Sequence, residues 1–205
     1  MRYILLQHST PEQIELLEFS RAINQPYAEK CGFEYISNTT RRCPERGVYW
    51  EKIAFIREIL STVEEGSLII WEDSDSLNIC DDLKTVLPTG GIFGMVQMRA
   101  GLGGRKLINW YNAGFLAMIN CADVRDFLKR VWEYDLPTDE DAINAELKHT
   151  DKVIGNDKRI SGLDIKWNCW QNNLALCPSP SIRSFHGILG SQKLAAMKEF
   201  LAKRN

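Results

Sequence analysis

The sequence has no Cys-x-x-Cys pair, no long apolar run and no surplus of basic charge. Its six cysteines, Cys31, Cys43, Cys80, Cys121, Cys169 and Cys177, are scattered singly. That pattern argues against a zinc site and against a dense disulfide framework, and it fits a reducing compartment. No apolar stretch approaches the roughly 18 residues that cross a bilayer. Residues 1–6 look like a first strand and are too short for a signal sequence. The net charge of −2 gives no general attraction for nucleic acid or acidic membranes, so any anion site must be local. There is no internal repeat, low-complexity tract or domain linker. What remains is an ordinary composition, 44% hydrophobic and 25% charged over 205 residues, which suits one domain with a substantial core. The expectation is a single soluble, cytoplasmic domain over residues 1–205, with no nucleic-acid partner and no transmembrane segment.

The chain is organised around Leu68-Ile69-Ile70-Trp71-Glu72-Asp73-Ser74-Asp75-Ser76. Four apolar residues in a row predict a short strand buried on both faces. The strand runs directly into acid, which puts Asp73 and Asp75 at the carboxyl edge of a sheet, where open α/β folds bind ligands. Two such carboxylates suit Mg²⁺ or Mn²⁺, hard cations that keep positions free for phosphates. Asp-Ser-Asp-Ser is equally good turn chemistry, and these residues alone leave both readings open.

The rest of the chain predicts an α/β fold. Tyr3–His8 is a first strand. Thr10, Pro11 and Gln13 suggest a capping box opening a helix that runs to about Lys30, and residues 33–36 alternate as a second strand. Strand, helix and strand make a βαβ unit with a parallel sheet. A basic loop with Arg41, Arg42 and Arg46 precedes a helix whose Ile53, Ile56, Leu60 and Val63 share one face. Residues 81–87 suggest a short helix or turn, and 92–98 another strand. Gly101-Leu102-Gly103-Gly104-Arg105 is a glycine-rich loop in the wrong place for a dinucleotide fingerprint. Tyr111-Asn112-Ala113-Gly114 leads, by this reading, into a fifth strand over 115–120. Helices are expected over 123–132 and 139–147, the latter opening on Asp139-Glu140-Asp141, where acids complement the helix dipole. Residues 153–184 read as an irregular surface lobe. A final helix carries Leu194, Met197 and Leu201 on one face.

Several features now stand in order: Trp50-Glu51-Lys52-Ile53, Trp71-Glu72-Asp73-Ser74-Asp75, Tyr111-Asn112-Ala113-Gly114-Phe115, Asp139-Glu140-Asp141-Ala142-Ile143-Asn144, and Phe185-His186-Gly187 with Lys193. The set resembles the nucleotide-sugar glycosyltransferases of the GT-A fold. It is most similar to the galactosyl/mannosyl/xylosyltransferase family of Golgi enzymes and more distantly to glycogenin-type retaining transferases. The stretch from Ser20 to Tyr35 resembles that family's first helix and second strand. The resemblance implies a single Rossmann-like domain with a mainly parallel central sheet flanked by helices. It also implies a donor that is a uridine or guanosine diphosphate sugar, a glycan, lipid-linked or protein acceptor, a Mn²⁺ or Mg²⁺ cofactor, and retention at the anomeric carbon.

By the same resemblance Asp75 and His186 are metal ligands and Asp73 is a ligand or donor contact. Lys193 and the small Gly187 and Gly190 approach the diphosphate. Asn112 and Gly114 lie beside the donor sugar, and Asp139 and Glu140 lie near the anomeric carbon. Ser9 and Thr10 are candidates to contact the nucleotide. Trp71, Trp110, Trp167 and Trp170 are either a sugar-stacking surface or packing. Two positions depart from the family pattern: Glu140 stands where relatives carry Gln, and Glu72 where they carry an apolar residue. These departures keep two alternatives in view, a domain that binds nucleotide sugar or glycan without turnover, and a metal-dependent nucleotidyl or phosphoryl transferase.

Overall fold

The computed structural model describes residues 1–79, 83–86, 88, 91–100, 108–151, 158–170, 177, 179–186, 188 and 190–204, with the backbone alone at 98–100, 108–109 and 149–151. The glycine-rich loop at 101–105 and Gly187 lie outside the described residues. A six-stranded sheet forms the middle of the molecule. Its strands are β1 (Tyr3–His8), β2 (Glu34–Asn38), β3 (Leu68–Glu72), β5 (Phe93–Ala100), β6 (Ile108–Ile119) and β7 (Ile160–Leu163), ordered β2-β1-β3-β6-β5-β7. β1 pairs in parallel with β2 and β3, and β5 with β7, whereas β6 runs antiparallel to both of its neighbours. The sheet is therefore mainly parallel, as expected. The helices are α1 (Ile14–Lys30), α2 (Glu51–Thr62), α3 (Ala122–Glu133), α4 (Asp139–Asp151) and α5 (Gly190–Ala202).

The apolar run of β3 does what its composition predicts. Leu68 and Ile70 join one core cluster with Leu5 and Phe115, while Ile69 and Trp71 join the opposite one with Ile4, Ile56 and Phe127. Alternate side chains of one strand thus fill both faces of the sheet. A third cluster, with Leu16, Leu77, Phe185 and Met197, packs α1 against α5.

Three expectations are corrected, and one open alternative is decided. Thr10 makes no side-chain cap; its carbonyl accepts from Gln13 N–H at 2.9 Å, so the helix opens with a 3-10 turn at Pro11–Gln13. Residues 111–114 are no turn before a strand. They lie inside β6, where the register against β5 slips between Met95 and Val96, from Leu116 to Asn112. The slip is a bulge, which re-aims side chains near a sheet rim. The segment 153–184 is not a surface lobe throughout. It supplies β7 to the sheet, and its β8 (Ile182–Ser184) pairs antiparallel with β4 (Ser76–Asn78), a short strand the sequence did not announce. Finally, Trp71 and Trp167 are buried in separate clusters and form no common sugar-stacking surface.

Asn120, just beyond β6, ties the end of α2 to the sheet. Its Nδ2 donates to the carbonyls of Leu60, Val63 and Glu64, and its Oδ1 accepts from Arg125. Losing one buried partner strands the others. Asn120→Ala is expected to lower unfolding stability by about 1–3 kcal/mol in urea titration, and Asn120→Asp by at least as much, because its carboxylate would face carbonyl oxygens.

Candidate functional site

The end of β3 is pinned from three sides. Asp73 N–H donates to Gly114 O of β6 at 3.0 Å, Gln7 of β1 donates to Asp73 O at 3.1 Å, and Phe185 N–H donates to Asp75 O at 2.9 Å. Tyr35 in turn holds Gln7 through a 2.6 Å bond. The backbone that carries the two aspartates is thus fixed before any ligand arrives.

Their side chains divide their oxygens. Asp73 Oδ1 accepts from Trp71 Nε1 at 2.8 Å and faces Lys52 Nζ at 3.2 Å. Asp75 Oδ2 pairs with Lys193 Nζ. The remaining oxygens point toward His186, whose Nδ1 lies 3.5 Å from Asp75 Oδ1 and 4.0 Å from Asp73 Oδ2. Asp75 Oδ1 is buried without a hydrogen bond. One ligand atom from each of Asp73, Asp75 and His186 falls within 4.8 Å of the others. A divalent ion about 2.1 Å from its ligands keeps them roughly 3–4 Å apart, so this donor set fits one.

Burial alone would raise the Asp75 pKa. The adjacent His186 and Lys193 overcome it and hold the carboxyl well below its usual range. Burial likewise pulls His186 down, but Asp75 and then Asp73 raise it above its ordinary value.

A second group sits against the first. Lys52 Nζ, reached from the first turn of α2, donates to Ala113 O at 2.8 Å and lies 3.0 Å from Asp139 Oδ2 at the start of α4. Burial opposes its charge, yet Asp139 and Asp73 keep it firmly protonated. Burial also raises Asp139 and Glu140, despite the hydrogen bond that Ala113 gives Glu140. Glu140 Oε2 accepts from Ala113 N–H and Asn112 Nδ2, both at 2.9 Å.

The bulge in β6 makes this possible by turning Asn112 and Gly114 toward the site. Asn112 Oδ1 accepts from Gly114 N–H and from Asn168 Nδ2, which directs its amide toward Glu140. At Gly114 a Cβ would lie 2.4 Å from His186 Nε2, so only glycine lets the imidazole pack there.

Ser9 and Thr10 line a cavity of about 240 Å³ together with Lys52, Asp73, Asp75 and Lys193. Gly190 opens α5, and a Cβ there would meet nothing. The structure therefore brings together the aspartates, His186, Lys193, Asn112, Gly114, Asp139 and Glu140. Glu72 stands apart: fully buried, it accepts from Asn78 at 2.7 Å and from Asn24 at 3.4 Å. Burial pushes its pKa up to about 8.

The chain aligns over 97% of its length with the whole of a glycosyltransferase involved in glycosylation of the major capsid of PBCV-1, at a TM-score of 0.71 and 12% identity. The chain has the GT-A glycosyltransferase fold. Mouse xyloside xylosyltransferase 1 shares it at a TM-score of 0.52 and 10% identity, with 91% of this chain and 98% of that one covered. GlyE of Streptococcus pneumoniae TIGR4 gives 0.53 at 16% identity over 89% of this chain, which spans about half of GlyE, 55%. No protein-family model and no curated protein matches the sequence.

Within this GT-A fold, Lys52 and Glu51, which the sequence offered only as part of Trp50-Glu51-Lys52-Ile53, and Asn168 take roles that the sequence did not assign. Lys52 looks like a solvated lysine one position after a glutamate. Asn168 sits in a segment without periodicity. Glu51, also buried, accepts from Arg41 and from the backbone N–H groups of Arg42 and Cys43, which anchors the basic loop. The place of Glu51 and Lys52 in Trp50-Glu51-Lys52-Ile53 was the usable signal.

In metal-free protein the raised pKa of His186 has a definite sign. Its stabilisation is complete below the ordinary histidine value of 6.5 and is lost as pH rises through the folded pKa. Urea titrations in chelator from pH 5.5 to 9 should show stability declining over that span in the wild type, with a shallower decline in His186→Gln.

Proposed function

We propose that the protein is a metal-dependent glycosyltransferase. It would move a sugar from a uridine or guanosine diphosphate donor to a hydroxyl of a glycan, lipid-linked or protein acceptor, with retention at the anomeric carbon. The observation that carries this reading is the convergence of Asp73, Asp75 and His186 at the carboxyl end of β3, in a fold shared with glycosyltransferases. Mn²⁺ or Mg²⁺ held there supplies Lewis-acid charge against the departing diphosphate.

The chain's own groups take the remaining tasks. Lys193, beside Asp75, offers a second cation to the phosphates, and Gly190, with open space around it, leaves room for them. Ser9 and Thr10 contact the nucleotide, and Asn112 and Gly114 the sugar. In the transfer, the bond from the anomeric carbon to the phosphate oxygen breaks and its electron pair stays with the diphosphate. The acceptor oxygen bonds to the same carbon, and its proton passes to the released diphosphate. Glu140, fixed through Oε2, faces the positive charge that develops at that carbon. Asp139, engaged by Lys52, keeps the start of α4 in register with the strand end.

The burial of Glu72 between Asn24 and Asn78 makes its departure from the family pattern a packing matter, which removes one support for a binding-only domain. No helix among the described residues is long and apolar enough to cross a membrane. The reading extends to a cytoplasmic location, supported by the free thiols of Cys43, Cys121, Cys169 and Cys177 among the described residues.

Incubation with a panel of nucleotide sugars should release a nucleoside diphosphate in the presence of Mn²⁺, by slow transfer to water when no acceptor is supplied. Chelation or Asp75→Ala should cut that release by about a hundredfold or more. Release of the sugar 1-phosphate instead, by attack at the phosphorus joined to the nucleoside, would identify a nucleotidyl transferase.

A further inference from the structure

We propose that the 3-10 turn Val48–Trp50 is the base platform of the nucleotide subsite, with the Tyr49 ring stacking on the nucleobase of a bound nucleoside diphosphate. This inference rests on the reading above and deepens it.

Val48 and Tyr49 are among the few large hydrophobics left exposed in the described residues, at 49% and 59%. They stand together on the wall of the cavity that also holds Asp73, Asp75 and Lys193. Their exposure is built in. Gly47, at φ 87°, reverses the chain, a conformation that disfavours side chains. Trp50 then turns inward, 1% exposed, and donates to Leu136 O at 3.2 Å. Arg46 clamps the turn by stacking over Trp50, at 3.8 Å, and by donating to the carbonyls of Trp132 and Tyr134. With Trp50 committed to the core, its two predecessors are held outward on a rigid base.

Tyr49 also precedes Lys52 by three residues. Such positions share a helical face with Cβ atoms roughly 5–6 Å apart, and Lys52 holds Asp73. The ring therefore stands about one turn from the acidic cluster, toward solvent. Asn112, Gly114 and Glu140, which face the sugar in the proposed reaction, do not line this cavity, whereas Asp139 does. Leu16 and the polar Ser9, Thr10 and Gln13 line it too. In a cavity lined mostly by polar and charged groups, the exposed Tyr49 ring offers a planar apolar surface to a heterocycle, and base-on-aromatic stacking is effective for every base.

The test is calorimetric titration with Mn²⁺ and, separately, the diphosphates of uridine, guanosine, adenosine and cytidine, and inorganic pyrophosphate. Wild type, Tyr49→Ala and Tyr49→Phe are compared. Tyr49→Ala should weaken the best-bound nucleoside diphosphate by about tenfold or more, leave pyrophosphate within about twofold, and be rescued by Tyr49→Phe. Equal nucleoside diphosphate affinity in wild type and Tyr49→Ala, or a parallel loss of pyrophosphate binding, overturns the proposal and leaves the metal site standing. A wild type that binds neither nucleoside diphosphates nor pyrophosphate overturns the glycosyltransferase reading and this platform with it.

Discussion

Asp73, Asp75, Asp139 and Glu140 crowd the end of one strand, and the structure around them is arranged to keep that charge tolerable. A buried carboxylate without a partner costs several kcal/mol, so each has a countercharge or donors assigned to it. Lys52 serves Asp73 and Asp139 together, Lys193 and His186 serve Asp75, and the Ala113 N–H with Asn112 serves Glu140. These partners come from α2, α5, the segment after β8 and the β6 bulge. The site is therefore a meeting point of elements distant in sequence, and its electrostatics help fix how those elements pack.

The same arrangement explains why Asp75 is poised rather than quenched. Lys193 satisfies one of its oxygens, while Oδ1 stays buried and unbonded beside the imidazole. In metal-free protein His186 and Lys193 supply the positive charge near it. Asp73, Asp75 and His186 would hold a divalent ion, which would supply that charge in place of the imidazolium, so ion binding and His186 protonation would compete. Trp71 and Lys52 hold one oxygen of Asp73, which keeps the open oxygen of that carboxylate aimed at the cluster.

Much of this was legible in the sequence. The Leu68-to-Trp71 run and the first βαβ unit announced the sheet, because a strand buried on both faces needs an unbroken apolar run, and the Asp-x-Asp at its end followed from that. His186 and Lys193 joined the site only through the order of motifs, since neither has a local pattern of its own. What stayed hidden depends on long-range pairing. The β6 bulge arises from the register of two strands, and nothing in Tyr111-Asn112-Ala113-Gly114 distinguishes it from a turn. β4 and β8 are three residues each and exist because they pair with each other. Trp50-Glu51-Lys52-Ile53 stood among the ordered motifs, but the pairing of Lys52 with Asp73 and Asp139 stayed hidden because it depends on how β3 and α4 come together. The capping box at Thr10 failed because the chain opens with a tighter turn.

The central claim is that Asp73, Asp75 and His186 hold a divalent ion for a nucleotide ligand. Electron paramagnetic resonance of Mn²⁺ titrated into the protein, with a nucleoside diphosphate present, measures this directly. The account predicts one bound Mn²⁺ per chain in the wild type, and binding weakened by about tenfold or more in both Asp75→Asn and His186→Gln. Wild-type protein that binds no Mn²⁺, or variants that bind it as the wild type does, would contradict it.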